Sequence, residues 1–312
     1  MMATRRIVFS MVGSGIVCLL LAGASLAQAP RVFVSINGSD ANPCSAVQPC
    51  RSFNQALTAV ESGGEIVVQN SGGYSTGFTI TKGVTIDAAG YNASVISTGT
   101  TDLCTINTTD RVILRGISFH GAGFGVNAIN VAQVGSLYVE HCSISEFPGD
   151  GVNMSNGGKL WVTDTDVRLC NNGVDVSGLA NLVVQNSRFS ECQNGVFLKS
   201  VSETVTGLVS NCTATLCATG FLAKTTGSAN ADLTLTDSRA FDNVVGISVQ
   251  AGSTGSATIR IANCVVTQNT LGLQGFQDGS GPARVIGTNP GTNLIAGNTN
   301  GNGTGNVPIS LQ

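Results

Sequence analysis

The chain has 312 residues, of which 42% are apolar and only 11% are charged, and its formal net charge is −3 at pH 7. This balance excludes a disordered chain and indicates one long domain with a single core. The mildly acidic charge, without a basic cluster, argues against a nucleic acid as a partner.

Residues 1–29 have the pattern of a secretory signal peptide. Two arginines precede an apolar run, and Ala27-Gln28-Ala29 forms a small-x-small cleavage site. We therefore predict cleavage near Ala29 and a mature protein that is secreted, either to the periplasm or to the exterior. No later segment approaches the ~20 consecutive apolar residues of a membrane-spanning helix, so no span is expected in the mature chain.

Residues 30–64 are predicted to contain an N-terminal strand, a cysteine loop and a helix that closes one end of the core. Apolar residues from Phe53 to Val60 fall on one helical face, and Gly63-Gly64 follow them. We expect the helix to occupy residues 51–61, to stop at the glycines and to lie across the open end as a cap.

Seven glycines recur just before an apolar strand start, at gaps of 26, 22, 22, 25, 26 and 26 residues. These glycines are Gly125, Gly151, Gly173, Gly195, Gly220, Gly246 and Gly272. A period of 20–50 residues is the signature of a solenoid. Each unit holds short runs of alternating apolar residues and no helical stretch, which predicts a parallel β-helix over residues 65–297. Residues 298–312, rich in Gly, Asn and Thr, are predicted to be a flexible tail.

Two columns of small side chains support this register. Eight residues before the glycines lie Thr165, Ser187, Cys212, Ser238 and Cys264, with Cys142 nine before, and three residues before them lie Cys170, Cys192, Cys217, Asn243 and Asn269. Side chains that recur at one height form internal ladders, and asparagine ladders hydrogen-bond along the stack.

The chain has ten cysteines, which an oxidising compartment would expose to disulfide formation. Cys44 and Cys50 flank a turn before the core, and we predict a local disulfide there. The cysteines of the repeat are expected to pack as small apolar side chains. Cys170 and Cys192 would lie in adjacent layers, close enough for a disulfide, although the column that they share with Cys217 favours packing. No spacing indicates a metal site, and no cofactor is expected.

Two aromatic residues are predicted to point outward in adjacent layers of the repeat. Tyr138 and Trp161 combine an apolar ring with a polar tip, which suits contact with sugar rings. Together with the neighbouring His141 they are the candidate ligand-binding residues.

Four charged residues in the same part of the chain are the candidate catalytic groups: Glu140, Asp164, Asp166 and Arg188. Cleavage of a glycosidic bond needs two carboxylates about 5 to 9 Å apart, a spacing that Asp164 and Asp166 could meet. The structural alternative is that the aspartates cap backbone groups at strand ends, and that Asp166 and Arg188 form a surface ion pair.

Three stretches of the chain resemble one known family. They are Gly38-Ser39-Asp40-Ala41-Asn42-Pro43-Cys44 with the later Cys50-Arg51-Ser52-Phe53 and Gly63-Gly64-Glu65-Ile66, the coil pattern Asn-x-x-Gly-Val/Ile, and Asn293-Leu294-Ile295-Ala296-Gly297-Asn298. The chain resembles right-handed parallel β-helix proteins of the pectin-lyase-like superfamily, in particular small secreted bacterial members. The resemblance implies an all-β, single-stranded right-handed parallel β-helix with an N-terminal capping helix. It also implies extended polysaccharides as the leading ligand class, with Ca²⁺ needed only by a lyase.

These observations leave three functional hypotheses. The main one is a non-catalytic β-helix that binds a glycan or acts as a cell-surface scaffold. The second is a polysaccharide lyase or glycoside hydrolase with a site on the coils around residues 138–188. The third is self-association through the apolar strip from Ile113 to Leu208. The oligomeric state is left open by the sequence.

Overall fold

The structure is a computed structural model, and it describes residues 28–178, 180–252, 254–287, 292–305 and 309–311. Residues 1–27 of the predicted signal peptide lie outside the described residues, and Ala29, at the predicted cleavage site, begins the first strand. Within the described ranges the fold is all-β, apart from the short helix Phe53–Ala59.

Three parallel sheets of 12, 10 and 10 strands run along the described part of the molecule. The first sheet contains Ala29–Val34, Val60–Val68, Val84–Asp87, Arg111–Arg115, Ser136–Glu140, Gly158–Thr163, Ala180–Gln185, Val205–Ser210, Ala231–Thr236, Ala257–Ala262, Ala283–Gly287 and Ile309–Leu311. The second contains Gly72–Ser75, Ala93–Ile96, Ile117–His120, Ser143–Phe147, Asp166–Cys170, Arg188–Ser190, Thr213–Thr215, Arg239–Phe241, Val265–Thr267 and Leu294–Ala296. The third contains Phe78–Ile80, Cys104–Asn107, Ile129–Gln133, Val152–Met154, Asn172–Ser177, Asn194–Ser200, Thr219–Thr225, Val245–Ala251, Leu271–Gln277 and Thr304–Gly305.

The chain visits the three sheets in turn, so each strand pairs in parallel with the equivalent strand of the next coil. Successive residues of a strand point to opposite faces, and alternate side chains therefore enter the coil. On the first sheet the inward-pointing apolar residues are buried: Val112, Leu114, Leu137, Val139, Leu160, Val162, Leu182, Val184, Val209, Leu233, Leu235, Ile259 and Ile261. They belong to one continuous hydrophobic core. The predicted right-handed parallel β-helix is confirmed.

The corner between the first and second sheets is a column of residues with left-handed backbone. Its members have φ between 49° and 55°, and they are His141, Asp164, Asn186, Asn211, Asp237 and Asn263. Asn, Asp and His enter this region more readily than other non-glycine residues, since a short polar side chain can bond to nearby backbone. The recurrence of these residue types at this corner therefore has a conformational cause.

The side-chain ladders predicted inside the coil are present. In one column the backbone N–H of Thr165 donates to the hydroxyl of Ser187 at 3.2 Å. In the other the Asn243 amide donates to Asn269 at 3.0 Å, and the Asn269 amide donates to Asn298 at 3.0 Å. The next coil thus satisfies polar groups that would otherwise be buried without a partner.

Cys44 and Cys50 are joined by a disulfide. The free cysteines of the described chain are all buried, and they are Cys104, Cys142, Cys170, Cys192, Cys212, Cys217 and Cys264. Cys170 and Cys192 are therefore packed thiols rather than a second disulfide. The hydrogen bond between their thiols lowers the pKa of Cys170 and raises that of Cys192 to about 12.

The helix covers the N-terminal end of the solenoid and contacts strands of all three sheets. The Ser52 hydroxyl caps its first turn by accepting from the Gln55 N–H at 3.2 Å. The helix ends at Ala59 rather than at the glycines, because Val60–Val68 already forms a strand. Gly64 lies inside this strand, where a Cβ would meet the Pro30 carbonyl at 2.7 Å. The glycine permits a close approach between strands and does not end the helix.

Strand pairing continues past residue 297, within the segment predicted to be a flexible tail. Thr304–Gly305 pairs with Leu271–Gln277, and Ile309–Leu311 pairs with Ala283–Gly287. The first and third sheets therefore extend beyond the boundary that composition suggests.

Asn269→Ala is expected to lower the free energy of unfolding by about 3 kcal/mol, since it leaves the buried N–H of Asn243 and the carbonyl of Ala240 without their partner. Urea denaturation followed by circular dichroism measures the effect. Gln250→Ala is the matched control, because this outward side chain has no hydrogen bond in the described chain. The control is expected to change stability by less than about 0.5 kcal/mol. Equal effects of the two variants would show that the ladder is not stabilising.

Candidate functional site

Tyr138 and Trp161 lie side by side on the outer face of the first sheet, with ring centroids 4.5 Å apart and ring planes at 6°. Adjacent strands are separated by about 4.8 Å, so the rings stack along the solenoid axis and cover one face of each other. Ile113 and Val183 hold the same position in the flanking coils. The pair therefore presents mainly ring edges to solvent, whereas a sugar ring stacks on an open face.

Glu140 belongs to a chain of ion pairs along the first sheet. The Arg115 guanidinium donates to Glu140 at 2.9 Å and lies 3.2 Å from the Asp87 carboxylate. The hydrogen bond with Glu140 raises the pKa of Arg115. Glu140 is thus already paired with a cation within the sheet.

His141 and Asp164 occupy the left-handed corner, where His141 Nδ1 is 3.8 Å from Asp164 Oδ2. Asp166 and Arg188 are partners on neighbouring strands of the second sheet, and both are exposed. In the described chain no ion pair joins them. The depression of about 610 Å³ that His141 lines contains none of the other six predicted residues. The structure therefore distributes the predicted site over two sheet faces and the corner between them.

A row of outward side chains on the third sheet, polar except for Phe197 at one end, is absent from the sequence predictions. Its outward positions hold, in successive coils, Thr79, Thr105, Asn130, Asn153, Asp175 and Phe197. We call these residues the third-sheet row. Three residues before each member from Thr105 onward, at the edge of the sheet, lie the members of a second column: Asp102, Asn127, Asp150, Asn172 and Asn194. We call these the edge column.

Asp102 connects the two columns at their lower end. Its Oδ1 accepts from the backbone and side-chain N–H groups of Asn127 at 3.1 and 2.9 Å. Its Oδ2 accepts from the Asn130 amide at 2.6 Å. The side-chain Oδ1 of Asn127 in turn accepts from the backbone N–H of Asp150 at 2.7 Å. Hydrogen bonds therefore hold the outward amides in one orientation.

Asp150 is only 6% exposed and accepts several amide hydrogen bonds. Asn153 donates to its Oδ2 at 2.7 Å, and the Asn172 side-chain amide donates to its Oδ1 at 2.8 Å. The same Asn172 nitrogen lies 3.1 Å from Asp175 Oδ2. Because both oxygens contact one nitrogen, at 2.8 and 3.1 Å, they lie within about 5.9 Å of each other.

Asp175 has a raised pKa. Burial and, to a smaller extent, the nearby Asp150 charge raise its pKa to about 7 against the opposing effect of Lys199. A carboxyl group that is partly protonated near neutral pH can both donate and accept hydrogen bonds.

Each end of the third-sheet row has a distinct environment. A polar open cleft of about 590 Å³ adjoins the lower end, where Asp102, Thr79 and Thr105 help to line it. At the other end Phe197 follows Asp175, and Lys199 lies in the next outward column.

A sequence pattern predicts the pairing of the edge column with the third-sheet row. An Asp or Asn followed three residues later by Thr, Asn or Asp recurs in the segments Asp102–Thr105, Asn127–Asn130, Asp150–Asn153 and Asn172–Asp175. The glycine repeat assigns such residues to internal ladders, and only the strand register shows that the second member of each segment points outward.

Neither a metal centre nor a membrane-crossing helix is found where the structure describes the chain. No group of three or more His, Cys, Asp and Glu side chains in these ranges is arranged to hold a metal ion. The described helix is too short and too polar to cross a bilayer.

A family model for the right-handed β-helix region matches residues 64–231 and 127–300 of the chain. The chain belongs to the right-handed β-helix family. The matched ranges of this β-helix protein include the aromatic pair and the whole third-sheet row. No curated protein sequence matches the chain significantly.

One solved structure shares the overall fold of this β-helix protein, and two others resemble it more weakly. An alginate lyase from Paenibacillus sp. str. FPU-7 is 14% identical, and the alignment covers 86% of this chain and 97% of that chain with a TM-score of 0.52. XylC in complex with xylose is 8% identical over 86% of this chain and 66% of that one, with a TM-score of 0.47. The A-module of the Azotobacter vinelandii mannuronan C-5 epimerase AlgE4 is 13% identical over 80% and 90%, with a TM-score of 0.27. At these identities the first similarity shows the fold alone, and the other two carry no argument.

The raised pKa of Asp175 makes stability depend on pH. The group has a pKa of about 7 in the folded protein, whereas its ordinary value of 3.8 applies to the unfolded chain. The folded state therefore binds more protons between these two pH values and loses stability as the pH rises through this range. Asp175→Asn removes this penalty. The stability of the variant relative to the native chain is expected to increase by as much as about 4 kcal/mol from pH 4 to pH 8.

Urea denaturation across this pH range measures the difference. Thr79→Ala provides the control, since it lies on the same row and adds or removes no ionisable group. Its stability curve is expected to run parallel to that of the native chain. A parallel curve for Asp175→Asn as well would contradict the assignment.

Proposed function

We propose that the protein binds an extended, neutral polysaccharide along the third-sheet row without cleaving it. The observation that carries this proposal is the register of the row, which places a hydroxyl, amide, carboxyl or aromatic group at the same outward position in successive coils. Adjacent strands lie about 4.8 Å apart, close to the length of one pyranose unit. A chain of sugars lying parallel to the solenoid axis would meet one polar group per ring.

The row offers the types of contact that a polyhydroxylated chain requires. Asn130 and Asn153 use their amides to hold Asp102 and Asp150, and such fixed side chains lose little conformational entropy when a ligand binds. Phe197 extends the row with apolar surface on which the face of a sugar can pack. The row therefore resembles a preorganised binding surface rather than a deep catalytic cleft.

Charge favours a neutral glycan over a uronic acid polymer. Asp102, Asp150 and Asp175 lie along or beside the row, and their carboxylates would repel a polyanion. Residues 1–29 serve in this proposal as the export signal, and the mature chain acts outside the cytoplasm as a glycan-binding or surface scaffold protein.

Affinity gel electrophoresis with hydroxyethyl cellulose, xylan and alginate tests this proposal. We expect the neutral polysaccharides to retard the protein more than alginate does. Asn130→Ala and Phe197→Ala are expected to weaken retardation by about tenfold each, the effect of losing roughly 1.4 kcal/mol of contact energy. Trp161→Ala on the first sheet is the matched control and is expected to retain native affinity.

The reverse pattern would overturn the placement of the site. Loss of retardation in Trp161→Ala alone would move binding to the aromatic pair. A change in oligomer size for Trp161→Ala, measured by light scattering, would support self-association through the apolar strip. No retardation of the native protein by any of the three polysaccharides would contradict the proposed function.

A further inference from the structure

A serine, a histidine and a glutamate meet on the second sheet, away from the third-sheet row. The Ser145 hydroxyl lies 3.2 Å from Nδ1 of His120. The other ring nitrogen of His120, Nε2, lies 3.7 Å from Oε2 of Glu146. None of the residues predicted as catalytic or ligand-binding belongs to this cluster.

The solenoid register fixes this arrangement. Ser145 is the partner of His120 on one neighbouring strand and of Arg168 on the other. Glu146 follows directly and has a φ of 65°, which turns the backbone out of the strand at this point. The left-handed turn is the reason that two consecutive residues, Ser145 and Glu146, can approach different nitrogens of one imidazole ring.

The two contacts of His120 favour one protonation pattern. A carboxylate near Nε2 favours the tautomer that carries its proton there, and Nδ1 then accepts the hydrogen bond that Ser145 donates. A serine whose hydroxyl donates to a histidine, with the histidine oriented by a carboxylate, is the arrangement that activates a nucleophile for acyl transfer.

Arg168, the strand partner of Ser145 on the next coil, carries a positive charge. Its side chain is exposed, and within the described ranges it forms no hydrogen bond or ion pair. A free guanidinium next to the nucleophile can stabilise the negative charge that develops on a carbonyl oxygen during attack.

An open cleft lies one coil before His120 on the second sheet. Ile96 is the partner of His120 in the preceding coil, and it helps to line a cleft of about 560 Å³ together with Tyr74 and Arg51. Ser145 itself is only 6% exposed, so only a small acyl group could reach its hydroxyl.

We infer that Ser145, His120 and Glu146 form a site that hydrolyses carboxylic esters with a short acyl group. Ser145 Oγ attacks the ester carbonyl carbon while His120 Nδ1 takes the hydroxyl proton, and Arg168 stabilises the resulting oxyanion. His120 returns the proton to the leaving alkoxide, so an alcohol departs and an acyl-serine remains. A water molecule, deprotonated by His120, then attacks the acyl-serine, which releases the carboxylic acid and restores the Ser145 hydroxyl. Glu146 acts as a positioning residue through His120.

This activity goes beyond the proposed glycan binding and does not depend on it. The two sites lie on different sheets, and their tests use different ligands. A protein that binds no polysaccharide could still hydrolyse an ester, and the reverse also holds.

Labelling of the full chain with a fluorophosphonate probe, followed by peptide mass spectrometry, tests the nucleophile directly. We expect phosphonylation of Ser145 and none of Ser143, an exposed serine on the same strand. Because this measurement uses the native protein, it decides the question even if a Ser145 variant fails to fold. Absence of a label at Ser145 would overturn the inference.

Hydrolysis of p-nitrophenyl acetate tests the catalytic roles. Ser145→Ala and His120→Gln are each expected to lower kcat/KM by at least about 100-fold, the usual contribution of a general base to its nucleophile. Ser143→Ala is the matched control and is expected to keep the native rate. Equal rates for Ser145→Ala and Ser143→Ala, both folded by circular dichroism, would contradict the mechanism.

The positioning role of Glu146 predicts a separate signature. Glu146→Gln is expected to lower kcat about tenfold with little change in KM. The variant loses the negative charge that stabilises the protonated His120 ring in the transition state, and the contacts with the ester stay in place. A rise in KM with an unchanged kcat would assign Glu146 to substrate binding instead.

Discussion

The structure depends on one constraint, the parallel in-register pairing of equivalent strands in successive coils. This pairing sets a vertical spacing of about 4.8 Å and brings each side chain against its equivalent in the next coil. Inside the solenoid the constraint requires apolar or self-pairing side chains, as Asn243, Asn269 and Asn298 show. A side chain that could not pair with its neighbour would leave a buried polar group unsatisfied.

The same pairing arranges the outward side chains in rows. The contacts that each side chain makes depend on the residue types next to it in the row. On the first sheet it stacks Tyr138 on Trp161, so the rings contact each other and offer little open face. On the third sheet it aligns amides and carboxylates that cannot stack and that hydrogen-bond sideways to the edge column instead. The polar row therefore keeps groups available for a ligand, whereas the aromatic pair largely satisfies itself.

The raised pKa of Asp175 also depends on the register between coils. Asn172 has one amide nitrogen between two carboxylates, and that shared contact brings Asp150 and Asp175 close to each other. Burial and the nearby Asp150 charge together raise the pKa of Asp175 to about 7. Ser145 and His120 are likewise neighbours only because their strands pair. The Asp150–Asn172 and Ser145–His120 contacts thus depend on pairing between coils, whereas Asn172 and Asp175 lie three residues apart in one coil.

The sequence by itself determined the period, the parallel β-helix and the inward residues. The glycine spacing gives the length of one coil, and the alternation of apolar residues gives the inward face of each strand. It also placed the ladders through Thr165 and Asn269 and indicated the cap over residues 51–61, although not the end of that helix at Ala59. Tertiary structure alone decided which outer row is polar and continuous, because Asn130, Asn153 and Asp175 are more than 20 residues apart in sequence and meet only through strand register. It also decided that Glu140 pairs with Arg115 and that Ser145 contacts His120, since a contact between coils depends on the side-chain direction at both positions.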